Sequence, residues 1–312
     1  MSKHLIIVDC YAIFFKSLFA HHKDPAINGI HIGGVIGFIN TMFRLLECNG
    51  ELLAMHKNSE IYVCIALDYQ TKGETFRHHI YQEYKANRKP LPQEFISQFP
   101  ILEEVLECMQ IPVIKHPKVE ADDIIASVVT KFYDKDSSTP INISIISQDK
   151  DLMQLIAVQN NRNTIMWDPY KRQIIDEQEV IAKLGVKPHQ VPCFLALLGD
   201  SADNIRGVPG IGKKHATTLL SKFDSVNDIC QNTHMLSNSK IASQINGNKE
   251  QIALFKKLTT LSSDIEIVMP YEEMKWNGWT DRNDKMNELL LKYQIQNAIG
   301  TRKNYTHNAF NM

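Results

Sequence analysis

Three separate apolar runs in this chain each end on an aspartate, and that repetition limits the possible folds more than any other feature. HLIIVD ends at Asp9, IYVCIALD at Asp68, and INISIISQD at Asp149, with Asp151 two residues on. Short apolar runs bounded by polar residues read as buried strands. The intervening segments GGVIGFINTMFRLLECNG, FISQFPILEEVLECMQ and DDIIASVVTKFYDK have helical amphipathic spacing. Strand candidates at 4–9, 61–68, 111–115, 142–148 and 164–168 alternate with these helices. The alternation predicts an α/β domain over residues 1–175 built on a parallel, doubly wound sheet. Ligands of such sheets bind beyond the carboxyl ends of the strands, where Asp9, Asp68 and Asp149 would gather. From residue 176 to 312 strands fade and helical patterns take over: EQEVIAKLG, CFLALLGD, KKHATTLLSKF, KEQIALFKKLTTL and, in a C-terminal extension, NDKMNELLLKYQIQNAIG.

Two further acidic segments flank the pattern. VEADDIIA carries Glu120, Asp122 and Asp123, and LGDSADNIRGVPGIGKKHA carries Asp200 and Asp203. Each acid alone reads equally well as a helix cap or a first-turn carboxylate favoured by the helix dipole. Together they have a different implication. Like charges ~4 Å apart repel by roughly 4 kcal/mol at an effective dielectric of 20, so a crevice lined by carboxylates needs cations. Hard oxygen ligands favour magnesium or manganese. Two such ions suit phosphoryl chemistry.

Two segments suit nucleic acid. In GVPGIGKKHATTLLSKF, Gly207, Gly210 and Gly212 allow tight turns, and the helix starting near Lys213 offers free N–H groups and the charges of Lys213 and Lys214 to an anion. A helix–hairpin–helix of this type, at about 199–223, grips backbone phosphate without reading bases. An ordinary glycine-rich turn is the plainer alternative. In TKGETFRHHIYQEYKANRKPLP, a helix would put Arg77, Tyr81, Tyr84, Lys85 and Arg88 on one face. Aromatics interleaved with cations suit a single strand, and a solvated basic helix is the plainer alternative. Pro90 and Pro92 end any helix there.

The formal net charge of −1 gives no overall nucleic-acid signature, so any basic footprint must be local. Six scattered cysteines without metal-type spacing read as reduced thiols of a cytoplasmic protein. No apolar stretch reaches the ~18 residues that would suggest a membrane span. The histidines form no hydrolase-triad or zinc pattern, and there is no P-loop.

The motifs LIIVD, ALDYQTKGETFRHHIYQEYKANR, VEADDIIA, SQDKDLMQL and LGDSADNIRGVPGIGKKHA, in this order, resemble the 5′-3′ exonuclease (flap endonuclease) family, and within it the N-terminal 5′ nuclease domain of bacterial DNA polymerase I. The resemblance runs from about residue 4 to about 300. It implies a PIN/resolvase-like nuclease core, a helical arch over about 72–100 and a free-standing nuclease or a portion of such a polymerase. It also implies that Asp68, Glu120, Asp122 and Asp123 hold one Mg2+, with Asp9 helping through water, and that Asp149, Asp151, Asp200 and Asp203 hold a second; Mn2+ would substitute. Lys85 and Arg88 would contact the scissile phosphate, Arg77 would support the arch helix, and Tyr84 would stack on an unpaired base. The Gly207–Lys214 unit would hold duplex, with a K+ ion among its carbonyls. Implied partners are DNA with a 5′ single-stranded end or flap, an RNA–DNA primer hybrid and a DNA polymerase, for a monomer working at the bacterial nucleoid in replication and repair. The chain departs from the family pattern at Cys10, where glycine is usual, at Lys16, where arginine is usual, and at Arg206, where proline is common. A non-catalytic binder of branched DNA and a PIN-type RNA nuclease are the competing expectations.

Overall fold

In the computed structural model, the described residues are 2–21, 29, 31–46, 51–69, 75–134, 139–159, 162–278 and 283–295. Residues 72–74 of the expected arch, Cys48, His22, Trp279, the loop positions 137–138 and 160–161, and the tail after 295 lie outside them. In chain order the elements are β1 (Ser2–Asp9), α1 (Cys10–Ala20), α2 (Gly33–Leu46), α3 (Glu51–Ala54), β2 (Ser59–Ala66), α4 (Phe76–Ile80), α5 (Gln93–Ile96), α6 (Phe99–Met109), β3 (Val113–Ile114), α7 (Ala121–Asp134), β4 (Ile141–Ile146), β5 (Ala157–Gln159), β6 (Arg162–Asp168) and β7 (Gln173–Ile175). Among the described residues the helices α8 (Glu177–Leu184), α9 (Val191–Leu198), α10 (Lys213–Lys222), α11 (Val226–Gln231), α12 (Ser239–Gly247), α13 (Lys249–Thr259) and α14 (Asn283–Lys292) follow. Short 3-10 turns are interspersed.

The chain divides into two compact units, one of residues 1–67, 90–114 and 269–312, the other of 68–89 and 115–268. In the first, β1 pairs with β2 and β2 with β3, all parallel. Leu5, Ile6, Ile7 and Val8 of β1 are fully buried, as expected for a strand covered on both faces. Asp9 ends β1 and caps α1 directly, its Oδ1 accepting from the Ala12 N–H at 3.1 Å. The α1 helix was not evident from CYAIFFKSLFA, whose apolar residues run almost all the way round. The α2 face Val35, Phe38, Ile39 and Met42 is buried at helical spacing. The expected helix over 95–110 is divided into α5 and α6, with Pro100 near the start of the second.

In the second unit β4 pairs parallel with β6, and the short β5 and β7 pair antiparallel with β6. These two were too short to show a period. Asp176 caps α8 through the Glu179 N–H at 3.0 Å, and Gly185 ends it in the left-handed region at φ +83°. Ala196, Ile205, Phe255 and Leu258 form a core between α9, α13 and the loop after α9, with Ile80 and Tyr81 against it.

The continuous arch helix is not found among the described residues. After α4 the backbone becomes extended at Tyr81, passes through turns, and reaches φ +55° at Lys85 before Pro90. Arg77 stays in α4, while Tyr84 and Lys85 lie on a loop whose side chains turn inward onto carboxylates.

Candidate metal and phosphate site

The second unit carries eight of the nine candidate acids. Asp68 follows β2, and its Oδ1 accepts from the Ala121 N–H at 2.7 Å, so it sits at the amino end of α7. Burial pushes its carboxyl upward, partly countered by that N–H. Glu120 precedes the same helix and is 9% exposed, Asp122 is half-buried in the first turn, and Asp123 is fully buried.

Arg77 organises this group from a nearly fully buried position. Its Nη1 donates to Glu120 Oε2 at 2.9 Å and to Asp123 Oδ2 at 2.5 Å, and its Nη2 donates to Asp123 Oδ1 at 2.8 Å. Its remaining donors reach the carbonyls of Leu258 at 2.8 Å and Thr260 at 3.2 Å. Asp123 Oδ1 also accepts from the Ser262 N–H at 2.8 Å. Both oxygens of Asp123 are thus engaged by the protein itself. Glu120 and Asp123, three residues apart, come together, and the cation they meet is Arg77.

Tyr84 is 3% exposed. Its hydroxyl lies 3.1 Å from Glu120 Oε2 and 2.9 Å from Asp203 Oδ2. Burial, followed by these carboxylates, raises its pKa. The expected base-stacking ring is therefore not open to a base in this structure; it ties two acidic segments together. Lys85 Nζ donates to Glu120 Oε1 at 2.5 Å, and Arg88 Nη2 donates to Asp203 Oδ1 at 2.9 Å. Burial alone would raise the Glu120 carboxyl, but Lys85 and Arg77 outweigh it and hold the group below its ordinary value.

The remaining acids come from two loops. After β4, Asp149 is exposed and its Oδ1 accepts from the Asp151 N–H at 2.9 Å. After α9, Asp200 and Asp203 are 5% and 7% exposed. One oxygen from each of Asp151, Asp200 and Asp203 lies within 4.8 Å of the others. Burial first, then the charges of Asp149, Asp203 and Asp200, push Asp151 up to about 8. Its Oδ1 is buried with no hydrogen-bond partner. An orphaned carboxylate oxygen among like charges fits a hard cation. Lys150, assigned no role from sequence although it stands between Asp149 and Asp151, supplies part of that charge through Asp200 Oδ1 at 2.8 Å. Gln154 was also missed: it donates to the Thr259 carbonyl at 3.0 Å and accepts from the Leu261 N–H at 3.0 Å. No periodicity marks such a side-chain-to-backbone brace.

The loop between α9 and α10 is held by two glycines back to back. Gly199 has φ +90° and Gly207 has φ +68°; a Cβ on Gly207 would come within 2.5 Å of the Gly199 nitrogen. Asp200 and Ile205 exchange backbone hydrogen bonds at 2.7 and 2.8 Å, closing a small turn that presents both aspartates. Gly212 is the N-cap of α10, and a Cβ on Gly210 or Gly212 would meet nothing within 4 Å. Lys213 and Lys214 are exposed, with Lys213 Nζ on the Lys183 carbonyl at 2.8 Å. Asp9, the ninth acid, belongs to the first unit, where it caps α1. The five described cysteines are free thiols, and no helix among the described residues is long and apolar enough to cross a membrane.

Residues 4–185 match the family model for the 5′-3′ exonuclease N-terminal resolvase-like domain, and residues 186–282 match the model for the 5′-3′ exonuclease C-terminal SAM fold. A 5′-3′ exonuclease from Aquifex aeolicus is 31% identical over 94% of this chain and 91% of its own length. DNA polymerase I from Caldicellulosiruptor bescii is 31% identical over 95% of this chain but only 33% of its own length, so the chain spans about a third of that relative. Among solved structures, T5 5′-exonuclease with zinc ions bound has a TM-score of 0.64 at 20% identity, covering 93% of this chain and all of the other, a likeness of fold.

Proposed function

The chain belongs to the 5′-3′ exonuclease family, and from that premise we propose that it is a metal-dependent, structure-selective 5′ nuclease that hydrolyses DNA phosphodiesters at 5′ ends or flaps. The observation that carries the proposal is the Asp151, Asp200 and Asp203 group, with its unpartnered buried oxygen, beside a loop bearing Lys85 and Arg88. A purely structural DNA binder has no use for so costly a cluster of buried like charges.

Divalent ions, Mg2+ with Mn2+ as substitute, supply Lewis-acid charge for attack by water and departure of the 3′ oxygen. Asp151, Asp200 and Asp203 are the side chains best placed to hold one, with Asp149 at the rim. Asp68, Glu120 and Asp122 are the candidates for the other. Asp123 acts through Arg77, fixing Glu120. Lys85 and Arg88 neutralise the scissile phosphate, each leaving a carboxylate to do so. Gly207, Gly210, Gly212, Lys213 and Lys214 hold the duplex backbone at the start of α10, with a K+ ion among the loop carbonyls. The catalytic region is 1–175 and the DNA-holding helical region 176–312. RNA–DNA primer hybrids are a second substrate form, and a DNA polymerase would fill the product gap in replication and repair near the nucleoid.

The test is cleavage of a 5′-labelled flap duplex by purified protein, first with magnesium and then with EDTA. Magnesium-dependent release of a short 5′ fragment cut near the junction supports the proposal. Tight binding of the same DNA without product would favour the structural binder.

A further inference from the structure

The loop that carries Tyr84, Lys85 and Arg88 is fastened to the turn after α9 by contacts that no catalytic role requires. Asn204 Nδ2 donates to the Glu83 carbonyl at 2.7 Å, and Arg206 Nη2 pairs with Glu83 Oε2 at 2.6 Å. Asn87 Nδ2 donates to the Ser201 carbonyl at 2.6 Å, and the Lys85 N–H reaches the Asp203 carbonyl at 3.1 Å. Asn204 holds φ +57°, a left-handed position that asparagine tolerates and that aims its amide across the gap.

The consequence lies at the tips. With the loop fastened, Lys85 Nζ occupies Glu120 Oε1 and Arg88 Nη2 occupies Asp203 Oδ1. Asp203 is one of the three acids whose oxygens converge within 4.8 Å. A divalent cation at these oxygens would face a resident ammonium or guanidinium nearby, and like charges so close repel. Two ligands that compete for one set of charges are linked reciprocally, so each weakens the other equally.

We propose that Asn204 and Arg206, acting through Glu83, are positioning residues: a latch that docks the 81–88 loop over the acids and makes loop docking and divalent-cation binding oppose one another. Fastened, the loop lends the acids its own cations. Cation binding releases Lys85 and Arg88 for a phosphate. The latch rests on the proposed metal site and deepens it.

The test uses the full chain and Mn2+ alone, followed by isothermal titration, with the double variant Asn204→Gly, Arg206→Ala. Glycine keeps the left-handed backbone at 204 while removing the amide. The variant is expected to bind Mn2+ roughly two- to fivefold more tightly, the scale of one exposed pair and one hydrogen bond. Trypsin should cut faster after Lys85 or Arg88 in the variant, and faster in the wild type once Mn2+ is added. Lys275→Ala, which breaks an exposed pair with Glu60 in the other unit, should change neither readout. Equal Mn2+ affinity in the variant and wild type, or protection of the loop by Mn2+, overturns the latch. Failure of the wild type to bind Mn2+ at all overturns both the latch and the metal-site proposal beneath it.

Discussion

Arg77 grips Asp123 with both arms of its guanidinium, Nη1 to Oδ2 at 2.5 Å and Nη2 to Oδ1 at 2.8 Å, in a position where neither side chain is more than 2% exposed. Both groups are fully served by neighbours, so the pair can stay charged in the interior. Removing one partner of such a pair leaves the other buried and unpaired, at a cost of ~3–5 kcal/mol. Arg77→Ala should therefore lower the free energy of unfolding by about that amount in urea melts. A midpoint within error of the wild type would show that water replaces the guanidinium at no cost and that Arg77 does not organise the site.

Asp151 should reveal itself through pH. Its folded-state pKa of about 8 lies above the ordinary aspartate value of 3.8. Without metal, the folded state therefore holds a proton that the unfolded chain has lost between those limits. That contribution is fully present below about 3.8 and declines as pH rises toward about 8. Asp151→Asn should remove this slope: metal-free variant and wild type converge at low pH, and the variant becomes relatively more stable toward pH 8. Cleavage should be lost. Parallel stability profiles for the two proteins would refute the assignment.

Lys85→Ala should reduce the single-turnover cleavage rate more than ~10²-fold, the scale of a lost preorganised charge at a transition state. Binding of the flap substrate should change only a few-fold. A rate close to wild type under saturating enzyme would remove Lys85 from the chemistry.

The acidic set was legible because each carboxylate ends an apolar run or belongs to a long motif, and both give position along the chain. What the chain could not show was pairing. The resemblance implied Glu120 and Asp123 as metal ligands, yet Arg77, 43 and 46 residues earlier, donates to both. Tyr84 read as a stacking ring because it is interleaved with cations and the resemblance implies stacking, yet its hydroxyl bridges Glu120 and Asp203. Among the described residues no continuous arch helix forms, for the same reason: inward contacts made by Tyr84 and Lys85 outweigh a local helical preference, which is weak over so few residues. The β5 and β7 strands, three residues each, fall below any detectable period.

His4 gives the opposite pH slope from the other unit. It is buried in β1, its ring centroid 3.6 Å from that of His56, and burial first, then the charge of His56, lowers its pKa to about 3. Between about 3 and 6.5 the unfolded chain binds a proton that the folded one refuses. Stability is therefore unaffected above about 6.5 and falls as pH drops below it, by at most ~1.4 kcal/mol per unit. Urea midpoints at pH 7.5 and 5.5 should show a shallower decline in His4→Phe than in the wild type. Identical declines would show that the ring titrates freely.

The two ends of the glycine loop should separate folding from binding. Gly207 is fixed by the fold: at φ +68°, with a Cβ due within 2.5 Å of the Gly199 nitrogen, Gly207→Ala should destabilise the protein by more than ~1 kcal/mol. Gly212 differs. It lies outside the left-handed region, and a Cβ there meets no protein atom within 4 Å. Glycine suits this N-cap better than alanine does, and a bare position also allows close approach of a phosphate to the first N–H groups of α10. Gly212→Ala should cost the fold no more than about 1 kcal/mol, the scale of an N-cap change, and weaken duplex binding several-fold, with the loss persisting across DNA sequences because a backbone contact reads no bases. Unchanged duplex affinity at 50 and at 150 mM salt would place the DNA grip elsewhere, even if the acids prove catalytic.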